Sequence, residues 1–171
     1  MAAAPLPLPP GTRSFPLPGG HVTLRVTMGD LTTSPTDAIV NAANEHMLGG
    51  TGVDGAVHAA AGPALLRACR ALPLLAPGVR LRTGDAVLLP GGTGTLGAAW
   101  VVGTAGPIYA SPGESAPLLA SAVRRSLAVA AAHPPIRSVA LPALSCGVYR
   151  YPPAAAAALN MRVLAEEPPP V

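Results

Sequence analysis

Short apolar segments of strand character alternate along this chain with alanine-rich segments of helical length. That alternation predicts an α/β fold in three layers, a sheet covered by helices on both faces. Two further observations agree with it. The length, 171 residues, suits one domain with a sizeable core. Half of the residues are hydrophobic but only 3% are aromatic, so small and branched aliphatic side chains must build that core.

Residues 1–18 are rich in proline, lack a basic n-region and hold no uninterrupted apolar run. They read as a disordered or extended leader rather than a secretory signal, with the domain proper expected over residues 19–171. Val22–Met28 (VTLRVTM) alternates apolar and polar side chains and predicts a half-buried strand. Ala38–Val40 reads as a short buried strand. A polar elbow, Asn41-Ala-Ala-Asn44, and a glycine-rich loop, Gly49-Gly-Thr-Gly52, come next. Val53 to about Leu72 predicts helix, with Pro63 starting a second helix at its first turn. Ala86–Leu89 and Trp100–Val102 read as strands joined by a turn through Gly91-Gly92 and Gly94–Gly97. Ala116–Ala132 predicts a helix ending before Pro134, Ser138–Leu141 a strand, and Pro153–Glu166 a last helix.

Composition excludes several kinds of chemistry. All eleven basic residues are arginine, so neither a Schiff-base lysine nor a phosphate-loop lysine is available. The formal charge is +3, yet the arginines are scattered and Arg124-Arg125 is their only adjacent pair. Non-specific nucleic-acid binding therefore has little support, specific nucleic-acid binding is not expected either, and a modest attraction for anionic ligands is. Cys69 and Cys146 are too few and too far apart for a metal motif or a disulfide framework, which fits a reducing compartment. No apolar run is long enough to span a membrane.

The stretch Asp37–Gly62 carries the chemistry. Glycines directly ahead of a helix allow a tight turn and leave uncapped N–H groups where the helix dipole favours an anion, phosphate above all. Asp54 and His58 are four residues apart and share one helical face. With Asn41 and Asn44 beside them they make a candidate site. Each residue also has a plainer reading: Asn41 and Asn44 as turn residues, Asp54 as a complement to the helix dipole, His58 as an ordinary helix histidine. Gly50-Thr-Gly-Val-Asp-Gly55 fits the dinucleotide fingerprint G-x-G-x-x-G. The elbow intervenes between strand and loop, however, and no acid occurs between Asp54 and Asp85, so that reading fails.

Asn41-Ala-Ala-Asn44 followed by Gly49-Gly-Thr-Gly-Val-Asp-Gly-Ala-Val-His58 resembles the signature of macrodomains, the ADP-ribose-binding modules, and most closely their MacroD-type branch of ADP-ribosyl hydrolases. Gly29-Asp-Leu-Thr32, Thr83-Gly-Asp-Ala86, Gly106-Pro-Ile-Tyr109 and Leu141-Pro-Ala-Leu-Ser-Cys-Gly-Val-Tyr149 follow in the family's order, so the resemblance runs from about Val22 to the C-terminal end.

The resemblance implies a three-layer α/β/α macrodomain with a mixed central sheet. It also implies a further strand after the last helix, lying between the first strand and Ser138–Leu141. The sequence stops at Val171 before any such segment, so the domain reads as lacking its usual last strand, truncated at its C-terminal side.

For the site, the resemblance places Asp30 at the adenine amino group with the Leu31 N–H nearby. It puts Asn44 at the distal ribose beside the scissile bond and gives Asn41 a loop-holding role. Asp54 would orient or deprotonate a water, and His58 would orient Asp54 or the ribose. Gly50, Gly52 and Val53 would form one phosphate-binding loop; Ser145, Cys146, Gly147 and Val148 would form the other, with Tyr149 flanking the distal ribose. Cys146 stands where Thr or Ala is usual, and no histidine is sequence-linked to it as a base. Two positions depart from the pattern: Gly103, where relatives usually carry His, and Arg150, where Gly is common.

The implied function is hydrolysis of the ester joining ADP-ribose to Asp or Glu side chains, with O-acetyl-ADP-ribose as a second ester substrate. The alternative is a non-catalytic ADP-ribose reader. ADP-ribose and ADP-ribosylated proteins are the expected partners. No cofactor and no metal are implied, the expected state is a monomer, and a cytoplasmic or nuclear location is expected with organelle targeting left open.

Overall fold

The computed structural model describes residues 10–166, so the first half of the leader lies outside it. Strand β1 (Arg13–Pro16) and β2 (Thr23–Val26) form an antiparallel ribbon of their own. β1 falls inside the stretch read from sequence as disordered or extended leader. The cause is local: Gly19 and Gly20 take left-handed φ values of 91° and 75°, the Leu17 N–H donates to Val22 O at 2.9 Å, and Leu17 itself is buried. β2 is mostly exposed rather than half-buried, because its partner is this short ribbon and only Leu24 turns toward the core.

A single 3-10 turn (Leu31–Thr33) leads to β3 (Ala38–Ala43), then α1 (Gly52–Ala61), α2 (Pro63–Ala71), β4 (Ala86–Pro90), β5 (Trp100–Ala105), α3 (Pro112–Ala131), β6 (Val139–Ala140) and α4 (Pro153–Glu166). The main sheet has the order β4-β5-β3-β6. β3 runs parallel to both neighbours, while β4 is antiparallel to β5, so the sheet is mixed. Among the described residues β6 pairs only with β3, and no strand lies along its other edge.

Strand periodicity divides β3 between two cores. Ala38 and Val40 pack on one face with Leu119, Val123, Leu159 and Val163 of α3 and α4. Ile39 and Ala43 pack on the other with Val57, Leu65 and Cys69 of α1 and α2. This is the three-layer arrangement. None of the described helices is long and apolar enough to cross a membrane.

β3 is longer than Ala38–Val40, because Asn41–Ala43 continue the ladder against Gly103–Ala105 of β5. Three of the four elbow residues are thus strand. α3 starts at Pro112, before the expected Ala116. The Ser111 hydroxyl caps the helix, accepting from Glu114 N at 3.3 Å and donating to the Glu114 carboxylate at 2.7 Å, ahead of an N1 proline. β6 is shorter than Ser138–Leu141. Its start is fixed by Asp37, whose Oδ2 accepts from the backbone N–H groups of Arg137 and Ser138 and from the Ser138 hydroxyl.

Both departures from the family pattern acquire a physical account. A Cβ on Gly103 would lie 2.5 Å from the Met47 methyl carbon, so the absent side chain makes room for a buried methionine. Arg150 holds φ at 57°, a left-handed conformation that disfavours side-chain-bearing residues. Glycine there should raise stability by about 0.5–1 kcal/mol after allowing for its greater unfolded-state entropy. A thermal melt of Arg150→Gly should accordingly show a midpoint about 1–4 °C higher; an unchanged or lower midpoint would contradict the strain.

Candidate anion-binding and hydrolytic site

The site lies where the C-terminal ends of β3 and β5 meet the start of α1 and the loop after β6. Odd positions of β3 face α1, so Asn41 projects toward it together with Ile39 and Ala43. Its Nδ2 donates to Asp54 Oδ1 at 2.7 Å, and both side chains are buried. His58 Nε2 stands 3.5 Å from the same oxygen, one helical turn along. The other carboxylate oxygen faces the glycine loop. A Cβ built on Gly50 would sit 3.1 Å from Asp54 Oδ2 and 3.6 Å from Asn44 Nδ2. The Asn44 amide is oriented in turn, because its Oδ1 accepts from His46 N at 3.0 Å.

The loop is built from glycine for steric reasons. Gly49 and Gly52 take φ values of 84° and 62°. Thr51, the residue capping α1, makes no side-chain capping bond, so the N–H groups from Thr51 to Asp54 are without partners inside the helix. Val53 is 37% exposed on the rim. This is an open row of donors at a helix N-terminus with a carboxylate behind it.

The loop after β6 supplies a second row. Ser145 holds φ at 63° and its buried hydroxyl has no hydrogen-bond partner among the described residues. That hydroxyl abuts Gly106, where a Cβ would collide with it. The loop is folded by Cys146 N donating to Ala143 O, Arg150 N to Gly147 O and Tyr151 N to Ser145 O, at 3.2, 2.9 and 2.9 Å. The N–H groups of Gly147, Val148 and Tyr149 enter none of the loop's internal bonds. Val148 is 78% exposed. Burial pushes the Cys146 thiol up, the direction opposite to that of an activated nucleophile. Burial, then the carboxylates of Glu45 and Asp54, push the Tyr149 phenol up, so it remains a neutral donor facing that anionic corner.

Tyr149 and Asn44 also line a cavity of about 190 Å³ with Glu45, His46, Thr83, Gly106 and Ile108. Sequence reasoning placed none of the last five in the site, although Thr83, Gly106 and Ile108 lie in motifs it singled out. Glu45 Oε1 accepts from Thr83 N and Thr83 Oγ1 at 3.0 and 2.8 Å, tying the elbow to the segment before β4. Asp30 and Leu31 lie at the 3-10 turn, which packs against α1, with Leu31 against the core beneath that helix. Asp30 is exposed and caps the 3-10 turn, with Oδ1 accepting from Thr32 N and Oγ1 at 2.9 and 2.8 Å, bonds that hold its carboxyl below the usual range. No hydrogen bond among the described residues joins it to the Asp54 cluster. No group of three or more His, Cys, Asp or Glu side chains among the described residues is placed to hold a metal ion.

Fold and site together define an α/β domain with two amide-lined loops converging beside a buried carboxylate. Comparison with known proteins gives that class its family. The Macro domain family model matches residues 40–160. A macro domain-containing protein of Vibrio parahaemolyticus is 50% identical over 140 residues, covering 82% of this chain and 80% of its own. A protein of Salmonella newport named O-acetyl-ADP-ribose deacetylase is 45% identical over 144 residues, covering 84% and 78%. Among solved structures, a mutant Oceanobacillus iheyensis macrodomain with ADPR superposes with a TM-score of 0.82 at 36% identity, covering 91% of this chain and 82% of that one. The chain belongs to the macrodomain family.

Proposed function

We propose that this macrodomain binds ADP-ribose and hydrolyses the ester between its distal ribose and an Asp or Glu side chain, releasing ADP-ribose from ADP-ribosylated proteins. O-acetyl-ADP-ribose, which presents an acyl ester on the same ribose, is a second substrate of the same chemistry. The observation that carries the reading is the state of Asp54: a buried carboxylate with one oxygen anchored and the other facing Asn44 Nδ2 across Gly50. A pure reader of ADP-ribose needs the amide loops but no such oxygen.

In this reading the diphosphate rests on the N–H groups of the two loops, and Asn44 and Tyr149 hold the distal ribose. Asp54 Oδ2 orients a water and accepts its proton as the water oxygen bonds to the acyl carbon. The bond from that carbon to the ribose oxygen then breaks, the ribose oxygen takes the proton back from Asp54 and leaves as a hydroxyl, and the acyl group departs as the free carboxylic acid. Fixing both reactants in register is where the rate gain arises. The domain acts as a monomer, with no specific nucleic acid and no membrane among its partners.

Calorimetric titration of the purified chain with ADP-ribose, with AMP as control, comes first. ADP-ribose is expected to bind saturably and clearly more tightly than AMP, and the ester-linked substrate to be cleaved. Binding without cleavage would leave a reader. No binding by a folded chain would sink both.

A further inference from the structure

Asn41 is the one polar side chain that β3 sends into the layer beneath α1, and it is only 2% exposed. Its amide cannot be reversed. With Nδ2 at 2.7 Å from Asp54 Oδ1, a flipped carbonyl would face a carboxylate oxygen with no proton between them. The Asn41 Oδ1 is then left as a buried acceptor with no partner among the described residues. An unmet buried acceptor is disfavoured, and an apolar residue of similar shape would avoid it.

The two oxygens of Asp54 are unequal as a result. Oδ1 carries the Asn41 bond and the nearby His58 ring. Oδ2 carries neither and looks over Gly50 toward Asn44 Nδ2. We propose that Asn41 is a positioning residue: by holding Oδ1 from the rigid sheet it fixes the carboxylate plane and leaves Oδ2 as the oxygen that meets the reacting water. The inference rests on the hydrolytic reading above. It assigns Asn41 a task different from holding the loop, and one that helix α1 alone could not perform. A carboxylate tethered only by its own helix is free to rotate about its last side-chain bond; one bonded to an adjacent strand is not.

Two measurements test it. Asn41→Ala is expected to lower kcat for ester cleavage roughly 10- to 100-fold, the range of a hydrogen bond to a charged group, while the Kd for ADP-ribose changes less than threefold. In the Asp54→Ala background the same substitution should add no comparable loss, because the two act as one unit. Losses that multiply in full, or a Kd that rises in step with the fall in kcat, would overturn the positioning role. Asn41→Leu fills the volume, and its thermal midpoint guards against a fold that simply collapses.

The second measurement does not depend on turnover. The Asn41 side-chain amide signals, assigned in a ¹⁵N spectrum by their disappearance in Asn41→Leu, should move when Asp54 is changed to Asn. Signals that stay in place would overturn the anchoring bond itself. Absence of cleavage by the unmodified protein would instead count against the hydrolytic reading, with the amide signals still deciding the bond.

Discussion

Asp54→Ala is expected to lower the rate of ester cleavage by about 10²–10⁴-fold, the usual contribution of a positioned general base, while ADP-ribose binding survives. The separation follows from where the groups sit. The N–H donors proposed for the diphosphate belong to the backbone of the two loops, and Asp54 contributes only its carboxylate behind them. Alanine also leaves Asn41 Nδ2 without its partner inside the protein, a loss of about 1–3 kcal/mol in stability. Asp54→Asn keeps the shape and an acceptor for Asn41, so it should melt nearer to the wild type yet remain slow. Measuring kcat, Kd and the thermal midpoint on both variants separates chemistry from folding. Cleavage at the wild-type rate by Asp54→Asn would remove Asp54 from the mechanism.

Gly55→Ala should be nearly as damaging for a different reason. By helix propensity alone the change is favourable by up to about 1 kcal/mol. The added Cβ, however, would stand 2.6 Å from the Gly50 carbonyl oxygen, a backbone atom that cannot rotate away. Overpacking of this kind costs about 1–3 kcal/mol, so sterics outweigh propensity. The strain has one place to go, the glycine loop. Displacing Gly50 moves the amide row relative to Asp54 Oδ2, and a shift of about 1 Å in such a register can cost 10²-fold in rate. The expected result is a lower melting midpoint with a kcat/KM reduced about 100-fold. An undiminished kcat/KM would mean that the loop yields without altering the site.

Which of these features could be read in the sequence depended on their range. The loop, the helix after it and the Asp54–His58 pair are neighbours in the chain, and their spacing alone placed them on one face. Asn41 was visible as a residue but not as the partner of Asp54. That bond depends on β3 continuing past Val40, which is decided by pairing with Gly103–Ala105 of β5, some sixty residues away. Glu45 was missed for the same reason, since its acceptor role is met by Thr83, 38 residues on. The early start of α3 was missed although its signal, Ser111 followed by Glu114, is local and legible. β1 escaped because prolines before it suggested a leader, and only the Gly19-Gly20 reversal makes the ribbon.

The turn between β4 and β5 has a role beyond reversing the chain. Thr93 N and Gly94 N donate to Ala61 O, and Thr95 N and Leu96 N to Ala60 O, so the turn takes up the last carbonyls of the helix that bears Asp54. Gly92 and Gly94 run so close that a Cβ on either would collide with those same carbonyls. Most hairpin turns tolerate insertions because they face only solvent. This one acts as a gauge block: its length sets how far α1 slides along the sheet, and roughly 10 Å of stiff helix carries that setting from Ala61 to Asp54. Variation in the reach of the glycine-rich turn is therefore a remote means of tuning the carboxylate, available without touching any residue of the pocket.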